Sequence, residues 1–442
     1  MKIQLSDHFT YKKLFRFTLP SIVMMIFTSI YGVVDGFFVS NFVGETPFEA
    51  VNFVMPVLMI LGGFGFMFGT GGSALVAKTM GEGNREKANR QFSFIVYASL
   101  VFSVILMVLG FVFLRPVTHL LGAEGEMLDD CVLYGNIIMI ALPAYILQFE
   151  FQTFFVTAEK PQLGLLMTVI SGVCNMLLDF LLVAAIPLGL VGAAVATAAS
   201  QLIGGFVPLI YFTRPNSSIL RLGRAGFDGF ALFRTCTNGS SELMSNISMS
   251  LVNMLYNFQL LKYAGNDGVA AYGVMMYVNL LFLSIFIGYS VGTAPVISHH
   301  YGAGNHKELK SLLRKSSLII CASSVAMLVA AFFMASPVGG LFVGYNPVLL
   351  KMTVDGFKIY SFMFLFAGMG IFGSSFFTAL NNGFISAVIA FLRTVVFQIA
   401  AVLLLPMALG IDGIWWSVVL AEGLATVVTV ILLFAMKKQY KY

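Results

Sequence analysis

The sequence predicts an all-α membrane protein, with twelve transmembrane helices in two pseudo-symmetric six-helix bundles joined as a parallel repeat. Three observations predict it. The chain is 59% hydrophobic and only 10% charged, with a mean hydropathy of +0.91, a surface that only lipid solvates at this length. Apolar runs long enough to cross the bilayer recur twelve times between charged or Gly/Pro punctuation. The chain also repeats itself with a shift of 221 residues, half of its 442.

The elements follow in order. A basic lead-in with Lys2, Lys12, Lys13 and Arg16 reads as a cytoplasmic approach to the first span and not as a cleavable signal peptide. The first lobe, residues 1–213, holds spans at 14–40, 50–77, 91–114, 129–155, 163–186 and 190–213. Residues 214–234, polar and basic with Pro215 and several glycines, form a cytoplasmic linker. The second lobe, 235–442, holds spans at 235–262, 268–298, 314–334, 348–378, 384–408 and 413–436. Each reaches the roughly 20 residues that about 30 Å of hydrocarbon requires. Twenty of the 25 Lys and Arg residues fall at the N-terminus, in alternate loops and at the C-terminus. Because basic loops stay inside, both termini are expected in the cytoplasm, with the protein multi-pass in the cell (plasma or inner) membrane.

The repeat is visible in "GTGGSALVAKTMGEGNREK" from Gly69 and "YSVGTAPVISHHYGAGNHKE" from Tyr289. It sets Gly71 on Gly292, Gly81 on Gly302, Gly83 on Gly304 and Asn84 on Asn305, and later Gly135 on Gly356 and Thr157 on Thr378. Six spans per copy start both copies on the same side, so the two bundles are related by an axis along the membrane normal and enclose a cleft.

Ionisable groups inside such spans are costly, about 2.5–3.5 kcal/mol on insertion scales. Five acidic residues fall there: Asp35, Glu150, Asp179, Glu242 and Glu422. At 1.5 Å per residue, counted from about Phe17 and Leu163, Asp35 lies ~27 Å up the first helix and Asp179 ~24 Å up the fifth. Asn175, four residues before Asp179, faces the same way. Thr197 lies ~10 Å below the outer surface on the sixth helix. Two carboxylates, an amide oxygen and a hydroxyl suit Na⁺, and equally a proton shared between carboxyls. The second copy has Tyr256, Val396, Ala400 and Val418 at the matching positions, so the polar set belongs to one lobe. Glu242 is a candidate cleft residue, with Tyr256 and the Met275–Met276 pair of "MMYVNLLFLSIFIGY", because Met packs adaptably around varied apolar guests. Arg393 and Glu422, both ~13 Å from a membrane face, read as a structural ion pair. Glu150, near the inner end of its helix, is expected to be solvated.

Several classes are excluded. No glycine-rich stretch has the Walker or dinucleotide pattern, the five histidines lie outside span centres, and the four cysteines have no metal or disulfide spacing. The chain is not expected to be an enzyme, to need a cofactor or to bind nucleic acid, and apart from Na⁺ no metal is expected.

Over essentially its whole length the chain resembles the MATE family of multidrug and toxic-compound extrusion transporters, in its DinF-like and MepA-like branches. The resemblance rests on "LPSIVMMIFTSIYGVVDGFFVSNFVG", "GGSALVAKTMGEGN", "NMLLDFLL" and "GTAPVISHHYGAGN". It implies export of cationic, amphipathic drugs by antiport with H⁺ or Na⁺, by a monomer in the lipid bilayer. It implies cation coupling at Asp35, Asn175, Asp179 and Thr197, with the Ala193 carbonyl as a further ligand, and bending of the first helix at Pro20. Glu242 resembles the helix-seven acid of another branch, the NorM-like one. The rival reading is a flippase for lipid-linked saccharides or lipids from the same superfamily.

Overall fold

The computed structural model describes residues 3–442, so Lys2 of the basic lead-in lies outside the described residues. Helices account for nearly all of it. The first lobe holds α1 (Tyr11–Phe42), α2 (Glu45–Gly81), α3 (Arg85–Leu120), α4 (Gly125–Thr157), α5 (Pro161–Asp179, continued by a π-helical turn over Phe180–Ala185) and α6 (Gly189–Thr213). A single helical stretch, Gly229–Gly302, follows. At 1.5 Å per residue its 74 residues would extend ~110 Å if straight, several times the hydrocarbon thickness.

It is not straight. Gly265 has φ 62° and ψ −154°, outside any helix, and divides the stretch into α7 (229–264) and α8 (266–302). The Tyr256 and Tyr272 rings stack across the break at 5.5 Å, and Tyr272 Oη donates to Asn253 Oδ1 at 3.1 Å, so the two arms run antiparallel. The second lobe is completed by α9 (His306–Val343), α10 (Pro347–Ala379), α11 (Gly383–Leu409) and α12 (Ile411–Tyr440). Among the described residues, eleven continuous apolar helices, one folded at Gly265, thus make twelve crossings. That backbone region is open essentially to glycine alone, so Gly265→Ala is expected to cost about 1–3 kcal/mol, read as a drop in melting temperature.

The helices outrun the expected spans because charged first turns continue them past the lipid. Asn84 accepts from the Lys87 amide at 2.9 Å, and Asn305, 221 residues on, accepts from the Glu308 amide at 3.2 Å. Both are N-caps. The glycines before them, Gly83 and Gly304, have φ of 83° and 65°, so the repeated Gly-Asn is a helix stop followed by a helix start. Helix α7 begins at Gly229, inside the expected 214–234 linker, because Asp228 caps it by accepting from the Ala231 amide at 2.9 Å. The preceding segment lies along α3, where Asn89 Oδ1 accepts from the Arg221 amide at 2.7 Å.

The core divides in a way that matters. One apolar cluster includes residues of both lobes at the end of the molecule that carries both termini and continues through the second lobe as far as Val343 and Leu349. A second, built around Val39, Val54, Tyr134, Ile138 and Ala194, contains first-lobe residues only. The lobes are therefore joined at the terminal end and separate towards the other.

Helices α2 and α8 form the joint. A Cβ on Gly81 would meet His299 O at 2.0 Å, and one on Gly302 would meet Lys78 O at 2.1 Å, so the two backbones touch. A strap over residues 3–10 adds to the closure: the Leu5 amide donates to Glu159 Oε1 in the first lobe, and the Phe9 amide to Glu308 Oε1 in the second, each at 2.9 Å. Within it, burial alone would raise the Asp7 carboxyl, but the Gln4 amide and the Lys13 ammonium together hold it below the usual carboxylate range.

Candidate functional site

The separated half of the first lobe holds the predicted polar set. Asp35 is buried on α1, Asp179 ends α5, Asn175 lies one turn before it, and Thr197 sits on α6 with Ala193 one turn away. Thr197 Oγ1 donates to Asp35 Oδ1 at 3.2 Å. Asp179 and Asn175 come within interacting distance of the same carboxyl. Both carboxylate oxygens of Asp179 and Oδ1 of Asn175 are nonetheless buried with no hydrogen-bond partner among the described residues. Buried oxygens are costly when unpaired, so three of them beside a second carboxylate form a pocket that lacks a positive partner. The π-helical turn starting at Phe180 places Asp179 at a change of helical pitch, a feature frequent at functional sites.

Sequence reasoning missed Tyr134. It is fully buried on α4, stands beside Thr197 and close to Asp35, and its hydroxyl has no hydrogen-bond partner among the described residues. It lies next to Gly135, which the repeat marks, but nothing in a run of apolar residues distinguishes a tyrosine that packs from one that points into a polar pocket.

Pro20 is buried within α1, which runs through it without interruption. Lacking an N–H, it leaves the Arg16 carbonyl without its helical donor, a built-in weak point. Between Pro20 and Asp35, α1 is pinned to α8: a Cβ on Gly288 would meet Ile22 Cα at 2.5 Å, and Ser29 Oγ lies 2.5 Å from Ser284 Oγ.

Glu150 corrects the expectation of a solvated residue. It is 0% exposed, accepts a hydrogen bond from Ser99 Oγ, and its Oε1 has no partner among the described residues. Position along the helix did place it near an end, but Gly69 lets the α2 backbone close over it: a Cβ there would lie 3.0 Å from Glu150 Cα.

The second lobe encloses a cavity of about 1000 Å³, counting the space at its mouth. Glu242, Tyr256, Met276, Arg393 and Glu422 line it. It lies within one lobe and not between the two, as all of its lining residues come from α7, α8 and α10–α12. Met275 does not line it. One residue is a 100° turn on a helix, which points Met276 at the cavity and Met275 into the core, where its Cε lies 2.8 Å from where a Gly356 Cβ would be. Tyr256 Oη donates to Gln398 Oε1 at 3.0 Å. Arg393 Nε donates to Glu422 Oε2 at 2.8 Å and Oε1 at 3.0 Å, with Glu422 only 3% exposed. Glu422→Ala strands the arginine and is expected to cost about 3–5 kcal/mol in denaturant unfolding, whereas Arg393→Met with Glu422→Leu costs much less.

The family model MatE matches residues 20–181 and 243–404, once in each lobe. The chain belongs to the MatE family. The two matched segments begin in α1 and α7, an offset of 223 residues (243 − 20) that lies within two residues of the 221-residue repeat, so family and internal symmetry describe the same duplication. The Multidrug export protein MepA of Staphylococcus saprophyticus subsp. saprophyticus is 25% identical over 435 residues, spanning 97% of this chain and 94% of that protein. Among solved structures, a MATE protein in complex with MaL6 superposes with a TM-score of 0.93 at 20% identity, covering 98% of both chains. The outward-facing conformation of a multidrug resistance MATE family transporter of the MOP superfamily superposes with a TM-score of 0.92 at 20% identity, covering 98% of this chain and 97% of that one. At that identity the structures establish the MatE fold. The polar cluster of the first lobe and the cavity of the second thus lie in the two repeated halves of the MatE fold.

Proposed function

We propose that the chain is a secondary multidrug exporter that expels cationic, amphipathic compounds by antiport with H⁺ or Na⁺. One observation carries the coupling site: the three unpartnered buried oxygens of Asp179 and Asn175 beside the Asp35–Thr197 pair. In a low-dielectric pocket two ionised carboxylates repel, and a small cation shared between them removes that repulsion. The oxygens of Asp35, Asn175, Asp179 and Thr197, with the Ala193 carbonyl, form its donor set. MepA, with 25% identity along nearly the whole chain, supports multidrug export as the activity.

The basic loops support a cytoplasmic terminal end, and on that reading the joint of α2 and α8 closes the inside and the separated half opens outward. The protein acts as a monomer in the cell membrane. Cation uptake at Asp35 draws the outer part of α1 towards α5 and α6. The strain falls on the Pro20 weak point and on the contacts of α1 with α8, which biases the two-state equilibrium between lobes. By reciprocity, drug and coupling cation weaken one another's binding.

The test is efflux of a fluorescent cationic dye from proteoliposomes, driven by a pH gradient alone and then by a sodium gradient alone. Stimulation by one gradient names the coupling ion. No stimulation by either overturns antiport, and head-group-dependent scrambling of labelled lipid in the same vesicles would favour a flippase.

A further inference from the structure

The stretch between the lobes, residues 214–234, carries four arginines, Arg214, Arg221, Arg224 and Arg234, against one acid, Asp228. That acid is engaged as the cap of α7, where it accepts from the Ala231 amide at 2.9 Å. Leu220 and Leu222 are buried and fasten the stretch to the first lobe, the Leu222 amide donating to Phe212 O at 2.9 Å. Arg221 and Arg224 stay outside and exposed. Arg221 Nη2 donates to Asn216 O at 3.0 Å, while Arg224 has no hydrogen bond, ion pair or ring contact among the described residues.

Basic residues of membrane proteins commonly sit in water beyond the lipid headgroups. This stretch reaches further in, because it runs along α3. The Arg221 amide donates to Asn89 Oδ1 at 2.7 Å and the Gly223 amide to Ser93 Oγ at 3.0 Å, and Tyr97 Oη donates to Gly223 O at 3.2 Å. Helix α3 opens with Arg85, Glu86, Lys87 and Arg90 and turns apolar after them. Ser93 is ~12 Å along that helix from Arg85, within the expected span 91–114. Gly223, and Arg224 directly after it, are thus held where headgroups meet hydrocarbon. Phe227, Phe230 and Phe233 follow at intervals of three, and they are 90%, 67% and 65% exposed. Phe227 meets Phe94 of α3 edge-on at 5.7 Å, and the Arg234 guanidinium lies 5.1 Å from the centre of the Phe230 ring, so rings and arginines share one surface. Phenylalanine beside arginine is the composition of a segment that lies in the membrane interface.

We propose that this surface binds an anionic glycerophospholipid of the leaflet at the terminal end. Arg221 and Arg224 hold its phosphate, and Phe227, Phe230 and Phe233 lie against its acyl chains. An arginine at this depth extends its guanidinium towards the nearest phosphate, which it can grip through two parallel hydrogen bonds. Selection for a negative headgroup follows from the excess of arginines over the one acid, already engaged as a cap. The inference does not depend on the exporter reading.

The test is native mass spectrometry of the purified full chain, released from micelles that hold equimolar phosphatidylglycerol and phosphatidylcholine. Adducts of phosphatidylglycerol are expected to outnumber those of phosphatidylcholine about fivefold. In Arg221→Gln/Arg224→Gln, changes to exposed side chains that leave the fold intact, the ratio is expected to fall to about one. Arg221→Lys/Arg224→Lys keeps the charge and is expected to recover the ratio to within about twofold. Arg115→Gln, on a residue at the opposite end of α3 that pairs with Asp129 at 3.0 Å, is expected to leave it unchanged. Excess inorganic phosphate is also expected to leave it unchanged, because the acyl chains contribute to binding. Equal adducts of the two lipids on the unmodified protein, an unchanged ratio in the glutamine variant, or loss of the preference in inorganic phosphate each overturn the proposal.

Discussion

Asp35→Asn and Asp179→Asn are each expected to reduce gradient-driven dye efflux about 100-fold, to the leak rate, while the protein folds and inserts normally. The change is nearly isosteric. It removes a charge from a pocket where charge costs about 2.5–3.5 kcal/mol or more, so the melting temperature is expected to hold or rise. Loss of transport without loss of stability is the signature of a coupling group, whereas a packing group loses both. Asp179 is the sharper test, because it is fully buried and neither carboxylate oxygen has a hydrogen-bond partner among the described residues. Paired rates in proteoliposomes under an imposed gradient check it, and efflux at the unmodified rate in either variant removes the basis of the proposed coupling site.

The second large effect is expected at the joint between lobes. A methyl group at Gly81 or Gly302 collides with main-chain oxygen at about 2 Å, and neither His299 O nor Lys78 O can swing away as a side-chain tip would. Gly81→Ala and Gly302→Ala must therefore push α2 and α8 apart. Overpacking of this kind costs about 1–3 kcal/mol, and it falls only on the state in which this end is closed. Such a difference shifts a two-state population about 5- to 150-fold towards opening at the terminal end. The check is maleimide labelling of a cysteine replacing Ala77, which is fully buried near this joint, in a background whose four native cysteines are changed to serine. Faster labelling in the glycine variants is the expected result, and unchanged labelling would show that the contact does not gate the molecule.

Much of the architecture was legible because lipid imposes a crude and strict rule. Twelve apolar runs had to cross, and the duplicated Gly-Asn pairs marked the same turn in both copies. The boundary of α7 and α8 was legible too, since Gly265 falls in the gap between the expected spans 235–262 and 268–298, although the turn there is a single residue. The first-lobe site was legible for a related reason: carboxylates are so rare in spans that Asp35 and Asp179 identify themselves, and helical spacing adds Asn175. Tyr134 was not legible, since a tyrosine among apolar residues carries no such anomaly. Glu150 misled in the other direction, because distance along a helix says nothing about which neighbours wrap it.

The sequence by itself determined the number of crossings, the duplication and the short roster of buried charges, since each follows from composition and spacing along one chain against an apolar solvent. Only the tertiary structure decided which charges are satisfied. Arg393 and Glu422, 29 residues apart in sequence, pair through Nε, whereas both carboxylate oxygens of Asp179 are buried with no hydrogen-bond partner among the described residues. The physical reason is that burial cost is set along the chain, but its compensation depends on hydrogen-bond geometry over about 3 Å between helices that the chain brings together from distant positions.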